Sequence, residues 1–300
     1  MAAKTNVTTS AQFTTSAREV DFVSRFADNW DALRNIMGIM RPIRKAPGTK
    51  LVSYKASVDG GLKGGTVAEG DEIPFTKMKV EPVAYGDIDI SKYAKSVTIE
   101  SVAKYGADVA VEKTDEAFLV ALQNKVLTDF YTFLSTGTLK VTEKTWQRAL
   151  AMAKGKVLDK FAGLDKDVTE VVGFANIIDA YDYLGDKEIT VQTMFGINYV
   201  ENFMGYRTLF LLPEKYIASK KVIALPVENI DLYYVDPSDS DFAKLGLNYT
   251  VKGETNLIGV HVDGDYSRAT GDMYAIMGMK LWAEYLDGIA VATVSAAGAG

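Results

Sequence analysis

The chain has no cysteine at all. Disulfide frameworks, thiol nucleophiles and zinc–thiolate centres are excluded, and nothing points to an oxidising compartment. Histidine is nearly absent too: His261 is the single one among 300 residues, so the usual metal ligands are scarce. Long apolar runs are missing. No stretch reaches the ~18–20 residues that span a bilayer, and the opening MAAKTNVTTSAQFTTSAREV has no signal-peptide core. The expectation is a chain made and kept in a cytoplasm, where the Asn-x-Thr triplets at Asn6 and Asn248 have no glycosylation meaning. Basic excess is absent as well. A net charge of −6 provides no general footprint for nucleic acid and leaves room only for a local basic patch.

What is present is ordinary for a packed protein. Hydrophobic residues make up 48% and charged residues 24% of the chain, and its length fits one large or two modest domains. The clearest long helix is Thr114 to Leu134. Phe118, Leu122, Val126, Phe130 and Phe133 recur three and four apart on one face, and Leu119, Leu127 and Leu134 widen it. Thr114 is placed to cap the first turn, Asp115 and Glu116 suit the positive end of the dipole, and Gly137 stands where a left-handed cap belongs.

Residues 1–15 are Thr- and Ser-rich and read as a flexible tail. Ser16 and Glu19 then have capping-box spacing. Val20, Val23, Phe26, Trp30, Leu33, Ile36 and Met37 follow at helical intervals. Two readings stay open for this helix. It packs on its own domain, or it is an arm lying across a neighbouring subunit. Pro42 and Pro47 stop it and start something extended.

Residues 50–81 are the most unusual. Two alternating runs, LVSYKASV and FTKMKVEP, flank the glycine-rich DGGLKGGTVAEGDEIP. This pattern predicts a long β-hairpin with a loose polar tip. A lone hairpin is marginal in water, so it must fold back on its domain or be held by another chain. A phosphate-binding loop is rejected, because no helix opens after Gly65 and the lysine of that motif is missing.

Further on, Tyr85 to Glu100 alternates as one strand or two. Ser101 to Ala110 reads as a short helix broken by Gly106. Thr142 to Phe161 is amphipathic through Trp146, Leu150, Ala153 and Val157, and ends at Gly163 and Asp165. Strands are predicted at Val168 to Phe174, Thr208 to Leu212, Lys221 to Leu225, Ile230 to Val235, Leu257 to Val262, Met273 to Met279 and Ile289 to Val294. A short helix at Asn176 to Leu184 turns Ile177, Ile178, Tyr181 and Leu184 inward. The terminal SAAGAG is expected to fray. The fold class is α+β.

The search for chemistry finds little. His261 sits in the strand-like IGVHVDG and reads as structural. Asp236, Asp239, Asp241, Asp263 and Asp265 match no EF-hand spacing and read as solvated turn residues. Paired carboxylates meeting in space stay open. The 16 tyrosines suit contact surfaces and cores equally. No catalytic residue, cofactor or metal site is assigned.

In their order and lengths, four stretches resemble the major capsid proteins of tailed bacteriophages, the Hong Kong 97-like fold. SYKASVDGGLKGGTVAEGDEIPFTKMKVEP resembles the extended loop, and TDEAFLVALQNKVLTDFYTFLSTGT the long spine helix. NIIDAYDYLGDKEITVQTMFGINYVENFMG resembles part of the axial domain. NLIGVHVDGDYSRATGDMYAIMGMKLWAEYLDGIAVATVS resembles the return to the peripheral domain.

The resemblance implies an N-terminal arm (1–46), an extended loop (47–84), a peripheral domain in two segments (85–145 and 253–300) and an axial domain between them (146–252). It implies hexamers and pentamers in an icosahedral shell around double-stranded DNA, in a virion assembled in the host cytoplasm. The DNA would be held non-specifically, and no membrane would be involved. The leader before Ser16 is too short for a cleaved scaffolding domain, which implies a separate scaffolding protein beside a portal. Lys63 lies at the loop tip, but no residue match carries covalent cross-linking over. Expected intersubunit contacts are Phe26 and Trp30 on the arm and Tyr54, Lys63, Glu69, Asp71 and Lys77 on the loop. The competing readings are an encapsulin-like nanocompartment shell and a cytoplasmic α+β enzyme with a carboxylate-based site.

Overall fold

The computed structural model describes residues 16–38, 40–168, 170–185, 191–194, 196–227, 229–251 and 256–295. The expected flexible tail at 1–15 lies outside them, as does the expected frayed end beyond Ser295. Among the described residues no helix is long and apolar enough to cross a membrane.

In chain order the elements are α1 (Ala17–Met37), β1 (Met40–Lys45), β2 (Leu51–Asp59), β3 (Lys77–Gly86), β4 (Ile90–Thr98), α2 (Ile99–Tyr105) and α3 (Lys113–Leu134). They continue with β5 (Leu139–Glu143), α4 (Trp146–Ala162), β6 (Val171–Asn176), α5 (Ile177–Leu184), β7 (Gln192–Met194), β8 (Ile197–Glu201) and β9 (Thr208–Leu212). The chain closes with β10 (Lys221–Pro226), β11 (Ile230–Val235), β12 (Ile258–Asp265), β13 (Thr270–Ala283) and β14 (Ala290–Val294).

Three sheets form. Seven strands run in the order β5-β14-β10-β6-β9-β8-β7, and five more combine β1-β11-β13-β12 with β4 on β13. The third sheet is the isolated pair β2-β3. The seven-stranded sheet is apolar on both faces because both are covered. Val171, Ala175, Val222 and Ala224 face α4 and its neighbours, while Val172, Phe174, Ile223 and Leu225 face α3. On that second face Phe130 and Tyr131 meet Phe174 edge-on at 6.1 and 5.7 Å, and Phe174 stacks on Phe210 at 5.2 Å. Such ring pairs add stabilisation beyond their burial. The sheets interleave in sequence, so the domain bounds read from sequence cut across both. β5 and β14 flank the strands of 171–225, and β11 joins the five-stranded sheet.

Several local expectations are corrected. Thr114 is not a cap. A π-helical turn at Asp108–Glu112 runs straight into α3, so the helical run begins upstream. The wide turn leaves carbonyls to be satisfied from the side. Thr114 Oγ1 donates to the Ala110 carbonyl at 2.8 Å, and Lys95 Nζ to that of Val111 at 3.4 Å. Gly137 is not left-handed; a Cβ there would lie 2.6 Å from the Ile289 carbonyl oxygen, so close approach explains it.

Residues 142–145 are not helical either. Leu139–Glu143 is strand β5, and Thr145 caps α4 by accepting from the Arg148 N–H. α4 does end where expected, with Gly163 at its C-cap and Asp165 in the left-handed turn beyond it, at φ 53°. On α5 Ala180 and Leu184 are buried and Ile177 packs partly buried against the same core, whereas Ile178 and Tyr181 are exposed. Gly106 does end α2, at φ 81°.

Candidate assembly surface

Register makes the hairpin two-faced. Val52 pairs with Ala84, Tyr54 with Pro82, Ala56 with Val80 and Val58 with Met78. Directly opposed residues in an antiparallel pair share a face, so one face is wholly apolar, and it is exposed throughout. Tyr54 is 71% exposed on it. The other face carries Ser53, Ser57, Asp59, Lys77, Lys79 and Glu81, with ion pairs Lys77–Asp59 at 2.9 Å and Lys79–Glu81 at 2.5 Å.

At the base the hairpin is anchored. Leu51 is buried, Tyr85 packs on Trp282 with ring centres 4.5 Å apart, and Lys280 Nζ donates to the Asp87 carbonyl at 2.8 Å. Beyond that base the only strand partner of β2 and β3 among the described residues is each other.

The tip is closed by one rung. The Lys63 N–H donates to Thr76 Oγ1 at 3.0 Å, and that hydroxyl donates back to the Lys63 carbonyl at 3.2 Å. The expected contact residues Tyr54, Lys63, Glu69, Asp71 and Lys77 all lie exposed on this hairpin. They do not converge: Tyr54 is on the apolar face, Lys77 on the polar one, and Lys63, Glu69 and Asp71 are in the tip. Sequence reading missed Leu62, Ile73 and Phe75, large apolar tip residues left in water. Their signal was visible, since apolar side chains inside a glycine-rich turn have nothing local to bury against.

Phe26 and Trp30 are a correction. They are 1% and 4% exposed, inside the core formed with α3 and the five-stranded sheet, so neither is offered to a neighbour. The reading that packs α1 on its own domain is the right one, and buried charge explains why. Glu19 completes the capping box with Ser16, and also accepts from Thr250 Oγ1 at 3.0 Å and the Val262 N–H at 2.6 Å. Arg18 and Lys95 both pair with buried Asp115 on α3. On β1, Arg41 reaches Asp231 at 3.0 Å and Arg44 reaches Asp236 at 3.2 Å. Burial alone would raise the Asp115 carboxyl, but the bonds from Arg18 and Lys95 outweigh it and hold it below the ordinary carboxylate range. Asp236 is held down in the same way by Ser238, Asn256 and Arg44. His261 lies 3.5 Å from Glu19 with Tyr249 edge-on to its ring.

By sequence, no protein family and no curated protein matches this chain. By structure it is similar to the mature capsid of bacteriophage PhiM1, with TM-score 0.56, 7% identity and 85% of each chain covered. It is also similar to a chain from Mycobacterium phage Patience, with TM-score 0.55, 12% identity, and 97% of this chain and 91% of that one covered. The fold is the Hong Kong 97-like capsid fold. The same capsid fold is found in the SrpI encapsulin complex of Synechococcus elongatus PCC 7942, with TM-score 0.51, 12% identity, and 97% and 92% covered. These capsid neighbours cover 85 to 97% of the chain.

Proposed function

We propose that this chain is the major coat subunit of a tailed phage, assembling as hexamers and pentamers into an icosahedral shell around double-stranded DNA. The observation that carries the proposal is the capsid fold over 97% of the chain combined with a hairpin whose apolar face its own body leaves uncovered. A monomer gains nothing from such a face, whereas a shell buries it. Permanent interfaces bury roughly 2,000 Å² or more, and several per subunit multiply modest pairwise energies.

In this reading residues 47–84 are the intersubunit clasp, with Tyr54, Lys63, Glu69, Asp71 and Lys77 as contacts. The five-stranded sheet with α3 as its spine forms the peripheral body, and the seven-stranded sheet forms the axial body. The role is structural rather than catalytic. Buried Glu19, Asp115, Asp231 and Asp236 are each bonded to partners that hold elements together. A separate scaffolding protein and a portal complete the partners, and the virion is the place of action. The negative coat keeps its grip on packed DNA weak, because phosphate binding depends on neutralising lysines and arginines.

Electron microscopy of the expressed protein tests the proposal. Shells or capsomer rings are expected. A uniform monomer or dimer at high concentration, with and without scaffold, would sink it. The encapsulin likeness supports a second reading, a nanocompartment shell with protein cargo. Nucleic acid inside purified particles selects the coat; an enzyme cargo without nucleic acid selects the nanocompartment.

A further inference from the structure

α1 begins beside two depressions that its own residues help to line. One is a pocket of about 410 Å³ bounded by α2, the π-helical turn and the β12–β13 turn. Its walls include Val97, Ile99, Val102, Val111 and Tyr266, and Arg18 of α1 stands among them. The other is a groove of about 500 Å³ that shares Arg18 and Val111 with the pocket and adds Ala17, the first residue of α1. The pocket of about 510 Å³ at the hairpin base carries no residue of α1.

The first pocket is built unlike ordinary surface. Val111 belongs to the π-helical turn, a geometry that recurs at functional sites. Ala269 lines the same pocket at φ 53°, a strained setting for a residue with a Cβ. Ile99 is 60% and Tyr266 is 99% exposed on its walls, so the described residues leave apolar surface there in water.

The described chain starts at Ser16, the N-cap of α1, and residues 1–15 precede it. Phe13 is the one aromatic side chain in that segment, and Lys4 the one charged side chain. Three residues join Phe13 to Ser16, a span of at most about 10 Å. Phe13 is therefore tethered close to the start of α1, where the pocket and the groove adjoin. The groove carries Asp21, Glu112, Asp115 and Glu116 against Arg18 and Arg25, an acidic excess that suits Lys4.

We propose that the pocket of about 410 Å³ is the seat of the chain's own N-terminal segment, with Phe13 between Ile99 and Tyr266 and Lys4 directed to the acidic groove. The short tether raises the effective concentration of the ring at the pocket, so a single apolar side chain is enough to hold the segment. The contact lies within one subunit. It closes the pocket from inside the chain, and it does not depend on the coat reading.

The lack of native cysteine makes the test direct. Thr14→Cys is combined with Ile99→Cys in the full chain, which keeps Phe13 in place and alters a pocket wall that is already exposed. A disulfide forms only if the two Cα atoms come within about 7 Å. In a glutathione redox buffer, the fraction of closed monomer is read by mass after alkylation of free thiols. The comparison pair is Thr14→Cys with Glu116→Cys, which places the second thiol in the groove instead. The 14–99 pair is expected to close and the 14–116 pair to stay open. Adding Phe13→Ser to the 14–99 pair should lower its closure constant about tenfold, the scale set by burying one phenyl ring.

Closure of the 14–99 pair alone, lost with Phe13→Ser, supports the proposal. Equal closure of both pairs, closure of the 14–116 pair alone, closure of neither, or closure that Phe13→Ser leaves unchanged overturns it. Disulfide-linked dimers in place of closed monomers assign the pocket to the N-terminal segment of another copy and overturn the seat within one chain.

Discussion

Asp115 joins three elements through one side chain. It sits on α3, takes Arg18 from α1 and Lys95 from β4, and is buried. Asp115→Asn leaves two cations facing each other with their shared counter-ion gone. A loss of about 3 kcal/mol is expected in denaturant unfolding of the isolated subunit, because breaking a buried ion pair strands its partners.

The pH dependence has a definite sign. A carboxyl depressed in the folded state contributes stability that is fully present above the unfolded value of about 4 and is lost as pH falls through the folded value. The wild-type melting temperature should therefore fall below about pH 4, and Asp115→Asn should show a shallower fall. Equal slopes for the two proteins would contradict this role.

In the sequence Asp115 was legible only as a dipole residue at a helix start. Arg18 lies 97 positions away, and periodicity carries no information about that separation. Gly137 was misread for a similar reason. Its spacing from α3 fits a left-handed cap, but the constraint comes from Ile289, a residue brought across by the fold. Gly137→Ala should lower the melting temperature by several degrees, as over-packing costs roughly 1–3 kcal/mol. Gly163→Ala should leave it nearly unchanged, because a Cβ there meets only carbonyl oxygens of its own helix at 3.5 Å. Thermal unfolding of both variants checks the contrast.

For the helices and strands, sequence legibility tracked local physics. The capping box at Ser16, the break at Gly106 and the alternation of β2 and β3 all rest on near neighbours, and all three are present. What α1 packs against was not legible. Helical periodicity says that Val23, Phe26 and Trp30 share a buried face, but it does not name the surface that buries it. The deciding groups were Arg18 and Glu19, which look like ordinary solvated charges until their partners Asp115, Thr250 and Val262 are in place. Short strands such as β5, β7 and β8 escaped because a run of three to five residues has too little period to stand out. The hairpin itself was legible for the opposite reason. Its glycines and alternating runs are local features, and its faces follow from register alone.

Taken as a whole molecule, the subunit combines a rigid body with one unsatisfied limb. Deleting Gly60–Gly70 should leave the melting temperature of the subunit within a few degrees of wild type, since the tip contributes nothing to either core. Assembly should be impaired, read as loss of particles by sedimentation and electron microscopy. Particles of normal yield and stability from the deletion variant would mean that the hairpin is not the clasp.

A limb that waits for a partner must also survive the wait. Among the described residues β2 and β3 have no third strand, so each presents an open edge of backbone donors and acceptors beside an apolar face. That combination is the template on which sheets of different molecules zip together in fibres. The hairpin carries deterrents along its length. Lys77 and Lys79 put charge on the β3 edge, Pro82 brings no N–H to it, and the glycines of the tip resist extension into a longer strand. These features disfavour growth of the hairpin into a larger intermolecular sheet.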